Sequence, residues 1–154
     1  MNQKPWEVKR FEEKAEGWEF LLSGSTVIFI QFGGCYIDLQ LNDELSTIIR
    51  LEMPFKWEKD GISQVLNPKN VPSLYPMLDS VGKVLIKAES IKSGFLSLEF
   101  TDGVSMKSPF GEDGHDYEAW EVRDNHGYLV VCAIGGEVFI CMPTEAASKI
   151  HNRA

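Results

Sequence analysis

The stretch Ile28-Phe29-Ile30-Gln31-Phe32-Gly33-Gly34-Cys35-Tyr36-Ile37-Asp38-Leu39-Gln40-Leu41 decides the class of fold. Ile28, Ile30 and Phe32 fall at every second position, and after the glycine pair Cys35, Ile37, Leu39 and Leu41 do the same. Period two belongs to strands, and a Gly-Gly loop supplies the positive φ angles of a primed hairpin turn. In that register Phe32 faces Cys35, Ile30 faces Ile37 and Ile28 faces Leu39. One face is then wholly apolar, while Gln31, Asp38 and Gln40 lie on the other.

Outward from this hairpin the same pattern recurs. A third strand is expected over 46–52, ended by Pro54, because proline lacks the ladder N–H. Residues 54–82 read as a long connection carrying Pro68, Pro72 and Pro76, with a short helical turn over 71–78. A second meander begins at Lys83, with Val84, Ile86 and Ala88 matched to Leu96, Leu98 and Phe100 through a bulged turn at Gly94. A strand over 104–107 follows. Strands over 117–123 and 128–134 come next, and Gly135-Gly136 turns the chain into 137–142. Val130, Cys132 and Ile134 share a face with Phe139 and Cys141 in the two-residue register. Leu129, Val131, Val138 and Ile140 take the other face. Apolar side chains on both faces predict a central strand pair.

The two halves resemble each other. Tyr36-Ile37-Asp38-Leu39-Gln40-Leu41-Asn42-Asp43 aligns with Phe95-Leu96-Ser97-Leu98-Glu99-Phe100-Thr101-Asp102. Each is followed by a strand running into Pro-Phe, at Pro54-Phe55 and Pro109-Phe110. The expected fold is mainly β: duplicated antiparallel β-meanders, about 26–55 and 83–110, forming a sandwich or partly open barrel. Strands within 117–142 complete it, and short terminal helical segments flank it. The charged N-terminal stretch is compatible with helix or strand, with Trp6 and Phe11 docking on the body. The tail 144–154 is compatible with a helix. The whole, 1–154, is one domain.

At 154 residues the chain can bury about two-thirds of its unfolded surface without staples. Its net charge is -8, from 23 acidic and 15 basic side chains. Such a surface repels phosphate backbones, which argues against nucleic acid, and it attracts a cationic partner. The start lacks a basic segment and an apolar core of the secretory type. No apolar run approaches the roughly 20 residues of a membrane span. Three cysteines, Cys35, Cys132 and Cys141, match neither a disulfide framework nor a zinc site. They read as buried, inert thiols of a cytoplasmic protein, with Cys132 and Cys141 on one face.

The one dense polar constellation is Glu112-Asp113-Gly114-His115-Asp116-Tyr117-Glu118-Ala119-Trp120-Glu121. His115, Asp116 and Glu118 are the types that hold a divalent metal or do acid–base work, yet strand alternation makes His115 and Asp116 diverge. The spacing matches no strong metal motif, so neither metal nor cofactor is expected. His126 falls in an exposed turn. No serine sits in a nucleophile elbow and the glycine pairs lack a phosphate-loop context. The acidic side chains Glu112, Asp113, Asp116 and Glu118 read instead as a contact surface. Trp57, between Lys56 and Glu58 in an expected loop, is the best candidate among the tryptophans for an exposed interface anchor, with core or edge packing as the other reading.

Tyr117-Glu118-Ala119-Trp120-Glu121, followed by Tyr128-Leu129-Val130-Val131-Cys132 and Gly135-Gly136, is similar to the C-terminal signature of a bacterial domain family of unknown function. The hairpin Leu96-Ser97-Leu98-Glu99-Phe100-Thr101-Asp102-Gly103 resembles the segment preceding it. The resemblance spans about residues 20–142. It implies no catalytic residues. Some similar small acidic domains look like immunity proteins of toxin–immunity loci, which implies a non-catalytic protein that binds a basic toxin domain. Two other readings stand beside it: a metal-dependent hydrolase at His115, Asp116 and Glu118, and a homodimeric module using an unpaired β edge.

Overall fold

The computed structural model describes residues 4, 7–109, 118–132 and 137–142. The expected tail helix, Trp6 and the turn at Gly135-Gly136 lie outside them. Thirteen strands among the described residues form two antiparallel sheets. They are β1 (Phe11–Lys14), β2 (Gly17–Phe20), β3 (Val27–Phe32), β4 (Ile37–Leu41), β5 (Ile48–Leu51), β6 (Phe55–Lys59) and β7 (Ile62–Leu66). After a 3-10 helix, Val71–Ser80, come β8 (Leu85–Ile91), β9 (Leu96–Phe100), β10 (Val104–Ser108), β11 (Trp120–Arg123), β12 (Leu129–Cys132) and β13 (Val138–Cys141). The first sheet runs β1-β2-β8-β9-β10-β6-β7 and the second β13-β12-β11-β5-β4-β3. Neither closes into a barrel. Their inner faces share one apolar core.

The two meanders meet through matched backbone bonds. Thr26 and Val84 form an antiparallel bridge where β3 and β8 begin. Val27 N–H donates to Lys83 O while Leu85 N–H donates to Ser25 O. Gly82 N–H donates to Val27 O while Gly24 N–H donates to Leu85 O. Gly24 and Gly82 sit at φ of 91° and 90°, a left-handed conformation that suits glycine. The side chains of Asn42 and Thr101 each accept a bond from the backbone of the opening residue, Thr26 or Val84. Asn42 and Thr101 are aligned positions of the sequence repeat. Each meander, β3-β4-β5 or β8-β9-β10, lies in its own sheet. The chain then crosses over, so that β6 joins β10 and β11 joins β5.

Several sequence expectations need correction. The first hairpin keeps its faces but shifts its register by two: Phe32 pairs with Ile37 and Ile30 with Leu39. The loop is longer than Gly-Gly, because Gly33 N–H bonds Tyr36 O. A bulge between Val27 and Phe29 sends Ile28 outward, and Phe32 and Cys35 are exposed too; Val27, Ile37, Leu39 and Leu41 carry the buried face. The equivalent bulge between Leu85 and Lys87 buries Leu85 and exposes Ile86, so Val84 and Ile86 do not align with Leu96–Phe100 as expected. Bulges of this kind bend the strand where it leaves the bridge.

Residues 54–82 are not simply a connection. They hold the β6–β7 hairpin, turning at Asp60-Gly61, and then the 3-10 helix, which places Leu74 and Met77 in the core around Pro76. The charged N-terminal stretch forms the β1–β2 hairpin, whose second strand pairs with β8. Phe11 packs on the core and stacks on Tyr128 at 6.3 Å.

The last hairpin is one residue out of the expected register. Cys132 pairs with Val138 and Val130 with Ile140, all turned to the core side. Phe139 and Cys141 face outward, and β13 is an edge strand, not a central one. Cys132 is buried and Cys141 exposed, so they do not share a face. Burial pushes the Cys132 thiol up to about 11, as befits a packing residue.

Candidate functional site

Strand alternation in β4, β5 and β11 sorts their side chains. Ile37, Leu39, Ile49, Leu51, Trp120 and Val122 go to the core, so Asp38, Arg50 and Glu121 go to the outer face. Ladder pairing then sets Asp38 opposite Arg50 and Arg50 opposite Glu121. The result is a row of alternating charge across three strands. Arg50 grips Asp38 with two bonds, Nε to Oδ1 at 2.7 Å and Nη2 to Oδ2 at 2.9 Å. Its Nε lies 3.9 Å from Glu121 Oε1. Arg123 adds a second guanidinium, donating to Glu121 Oε1 at 2.6 Å and lying 3.7 Å from Asp38 Oδ2. Bidentate charge-assisted bonds of this kind are the strong ones, and they hold Arg50 in one orientation.

Tyr36 completes the clamp. Arg50 Cζ sits 3.7 Å from the centroid of the Tyr36 ring, a cation–π contact. The ring reaches that position because it folds back over Gly33, where any Cβ would collide with it. The hydrogen bond and charge of Asp38, followed by the charge of Glu121, raise the proton affinity of Arg50 well above its ordinary value against the opposing effect of burial.

Beyond Arg50, the next outward position on that strand line is Glu52, half-buried. Its backbone N–H bonds Ala119 O, which brings Glu118 alongside. Cys35, Glu52, Lys69 and Glu118 line a cleft of about 400 Å³. Burial raises the Glu52 carboxyl above its usual range, and the negative charges of Glu121 and Glu118 raise it further. The cleft therefore holds crowded carboxylates beside a rigid ion-pair lattice. Chemically it can accept a cation or hydrogen-bond donors.

Of the side chains expected from sequence at the contact surface, Glu118 is exposed at this cleft. Glu112, Asp113 and Asp116 lie outside the described residues, as do His115 and Tyr117. Glu118 and Trp120 do not share a face: Trp120 is fully buried and donates its indole N–H to Gly94 O at 2.9 Å. Trp57 is not an exposed anchor and takes the packing reading. It is buried on the inner face of β6, because Lys56 and Glu58 are the outward members of a strand, not the flanks of a loop. His126 is half-buried, its backbone N–H held by Asp124. Asp38, Arg50, Glu52 and Tyr36 escaped the sequence reading. The signal available was Asp38 alternating outward in β4; its partners appear only when β5 and β11 are placed beside it.

A second cavity, about 90 Å³, lies where the N-terminal hairpin meets the second sheet and is lined by Arg10, Phe20, Thr47, Val122 and Tyr128, among others. Arg10 Nε bonds Asp124 Oδ2 at 3.0 Å, both side chains buried. The arrangement ties the N-terminus to the β11–β12 turn. Burial raises the Tyr128 phenol well above its ordinary value. Among the described residues no group of three His, Cys, Asp or Glu side chains is placed to hold a metal ion. No helix among them is long and apolar enough to cross a membrane.

Fold and cleft define a duplicated two-sheet β protein with an ion-pair lattice on one open face. The chain belongs to a family of unknown function, DUF6188, whose model matches residues 17–142. No curated protein and no solved structure matches it.

Proposed function

We propose that this is a non-catalytic binding protein of the bacterial cytoplasm that docks a cationic protein partner, a basic toxin domain, on the open face of its second sheet. The observation that carries this reading is Glu52. Its carboxyl is half-buried beside Glu118 and Glu121 and is held above the usual carboxylate range. Around it stand the carboxylates Asp38, Glu118 and Glu121, while Arg50 and Arg123 are engaged with Asp38 and Glu121. A lysine or arginine from a partner would join Lys69 at this cleft and offset the charge of Glu52 and Glu118. The net charge of -8 would steer such a partner inward. Glu112, Asp113 and Asp116 stand just before Glu118 in the chain and add acidic charge there, and a protein that docks such a partner would act as an immunity protein.

The test is binding to the product of the neighbouring gene, expected to carry a basic domain. Affinity should fall as salt rises, and the pair Glu52→Lys and Glu118→Lys should weaken it at least about tenfold, or 1.4 kcal/mol. Binding that ignores salt and survives reversal of Glu52, Glu118, Glu112, Asp113 and Asp116 would sink the electrostatic mechanism.

A further inference from the structure

The cavity where the N-terminal hairpin meets the second sheet, about 90 Å³ in volume, has the makings of a separate site. Phe20 and Leu22, at the end of β2, and Leu45 and Val122, from the second sheet and its β4–β5 loop, give it apolar walls, and all four are buried. Lys9, Leu21 and Glu44, which are exposed, mark its opening. Tyr128 belongs to the same lining. It is 2% exposed, yet its hydroxyl has no hydrogen-bond partner among the described residues. Buried polar atoms are nearly always bonded, and an unbonded one at the wall of a cavity points to a partner that enters the cavity.

The neighbouring polar groups are engaged. Thr47 Oγ1 donates to Asp43 Oδ2 at 2.5 Å. Arg10 donates from Nε to Asp124 Oδ2 at 3.0 Å and from Nη1 to Val8 O at 2.7 Å. The Arg10–Asp124 ion pair sets the charge of the occupant. Arg10, its Cζ 5.6 Å from the centre of the Tyr128 ring, repels a cation, while Asp124 and the lining carboxylate Asp43 repel an anion. An ion of either sign would give up its water with no net counter-charge in return. A neutral molecule meets neither cost. Size narrows the choice further. An apolar cavity of roughly 150 Å³ holds benzene, so one of about 90 Å³ takes a smaller body, on the order of five non-hydrogen atoms. Water needs about two to four polar partners, whereas these buried walls are hydrocarbon for the most part.

We propose that this cavity binds a small neutral organic molecule with an apolar body and one acceptor oxygen, which takes its hydrogen bond from the Tyr128 hydroxyl. The site shares no lining residue with the Glu52–Glu118 cleft and stands independently of the docking reading. Its occupant touches both the end of β2 and strand β11, so binding fastens the N-terminal hairpin to the second sheet and stabilises the fold by mass action.

Titration of the full chain with 2-butanone, followed by amide chemical shifts in NMR, tests the proposal. The amides of Leu22, Leu45 and Val122 should shift to saturation, and the melting temperature should rise with ketone concentration. Tyr128→Phe keeps the ring and deletes the hydroxyl; with folding checked by circular dichroism, it should weaken binding about fivefold, the worth of one hydrogen bond. Propionate and butylammonium, as large as the ketone but charged, should bind at least about tenfold more weakly. Shifts that grow linearly without saturating would mean that water alone fills the cavity. Equal affinity in Tyr128→Phe would remove the assigned hydrogen bond, and tighter binding of either ion would remove the neutral ligand. Each of these three results overturns the proposal.

Discussion

At Tyr128 the physics of one hydroxyl can be isolated. The residue is 2% exposed, and its hydroxyl has no hydrogen-bond partner among the described residues. An unsatisfied buried polar group costs more than its bond would contribute, so Tyr128→Phe should leave stability unchanged or raise it by up to about 1 kcal/mol. A denaturation curve that instead shows a loss would place a bound water in the adjoining cavity. The nearby Arg10–Asp124 pair behaves oppositely. Asp124→Ala removes the buried carboxylate that pairs with Arg10 and should cost about 3–5 kcal/mol by the same measurement. Glu52 sets a pH dependence. Its folded-state affinity for a proton exceeds the unfolded one, so the folded chain binds more protons across that interval. Its contribution to stability is therefore lost as pH rises from the ordinary carboxylate range through the raised value. Glu52→Gln should raise the denaturation midpoint at neutral pH and leave it nearly unchanged in acid, where both forms are neutral. Equal midpoint shifts at both pH values would show that the carboxyl is not crowded.

Among elements, the β1–β2 hairpin shows how closely strands approach when one of them carries glycine. A Cβ at Gly17 would collide with the carbonyl of Ser90 on β8, and backbone cannot yield as a side chain tip can. Gly17→Ala should thus cost about 1–3 kcal/mol and loosen amide protection along β2 and β8 before the rest of the sheet. Unchanged exchange at those amides would show that the hairpin tolerates the added methyl. The same element marks the limit of what sequence could tell. Phe11-Glu12-Glu13-Lys14 is mostly charged because β1 is an edge with an exposed surface, so period two never appears in it. Strand β6 hid for the related reason that Lys56, Glu58 and Lys59 outnumber the buried Phe55 and Trp57. Strong alternation announced β4, β5, β9 and β10, whose inner faces are complete. Registers were less legible. They depend on loop length and bulges, and a two-residue slip at Gly33-Gly34 keeps every face unchanged. The cleft was partly legible: charge pointed to Glu118, whereas the Asp38–Arg50–Glu121 row needed the pairing of β5 with β11, strands far apart in the chain.

Across the whole molecule the exchange of strands between repeats has a thermodynamic consequence. The first sheet takes β1, β2, β6 and β7 from the first half and β8–β10 from the second; the second takes β3–β5 from the first and β11–β13 from the second. Neither repeat owns a sheet. Trp120 in the second sheet packs edge-on against Phe20 in the first, at 6.4 Å and 82°, and bonds Gly94 between β8 and β9. Removing either half would strip β5 or β10 of its neighbour and leave Leu39, Leu51, Leu98 and Met106 facing water, each a loss of about 1.5–3 kcal/mol. Strand exchange of this kind should make the chain one cooperative unit, which heat or denaturant unfolds in a single transition. Cleaving the chain between β7 and the 3-10 helix, near Lys69, gives the sharper check. Each fragment alone should lack the strand signal in circular dichroism, and mixing the two should restore it along with the size of the intact chain. A fragment that folds by itself would mean that one repeat can close its own core, against the strand exchange that builds both sheets.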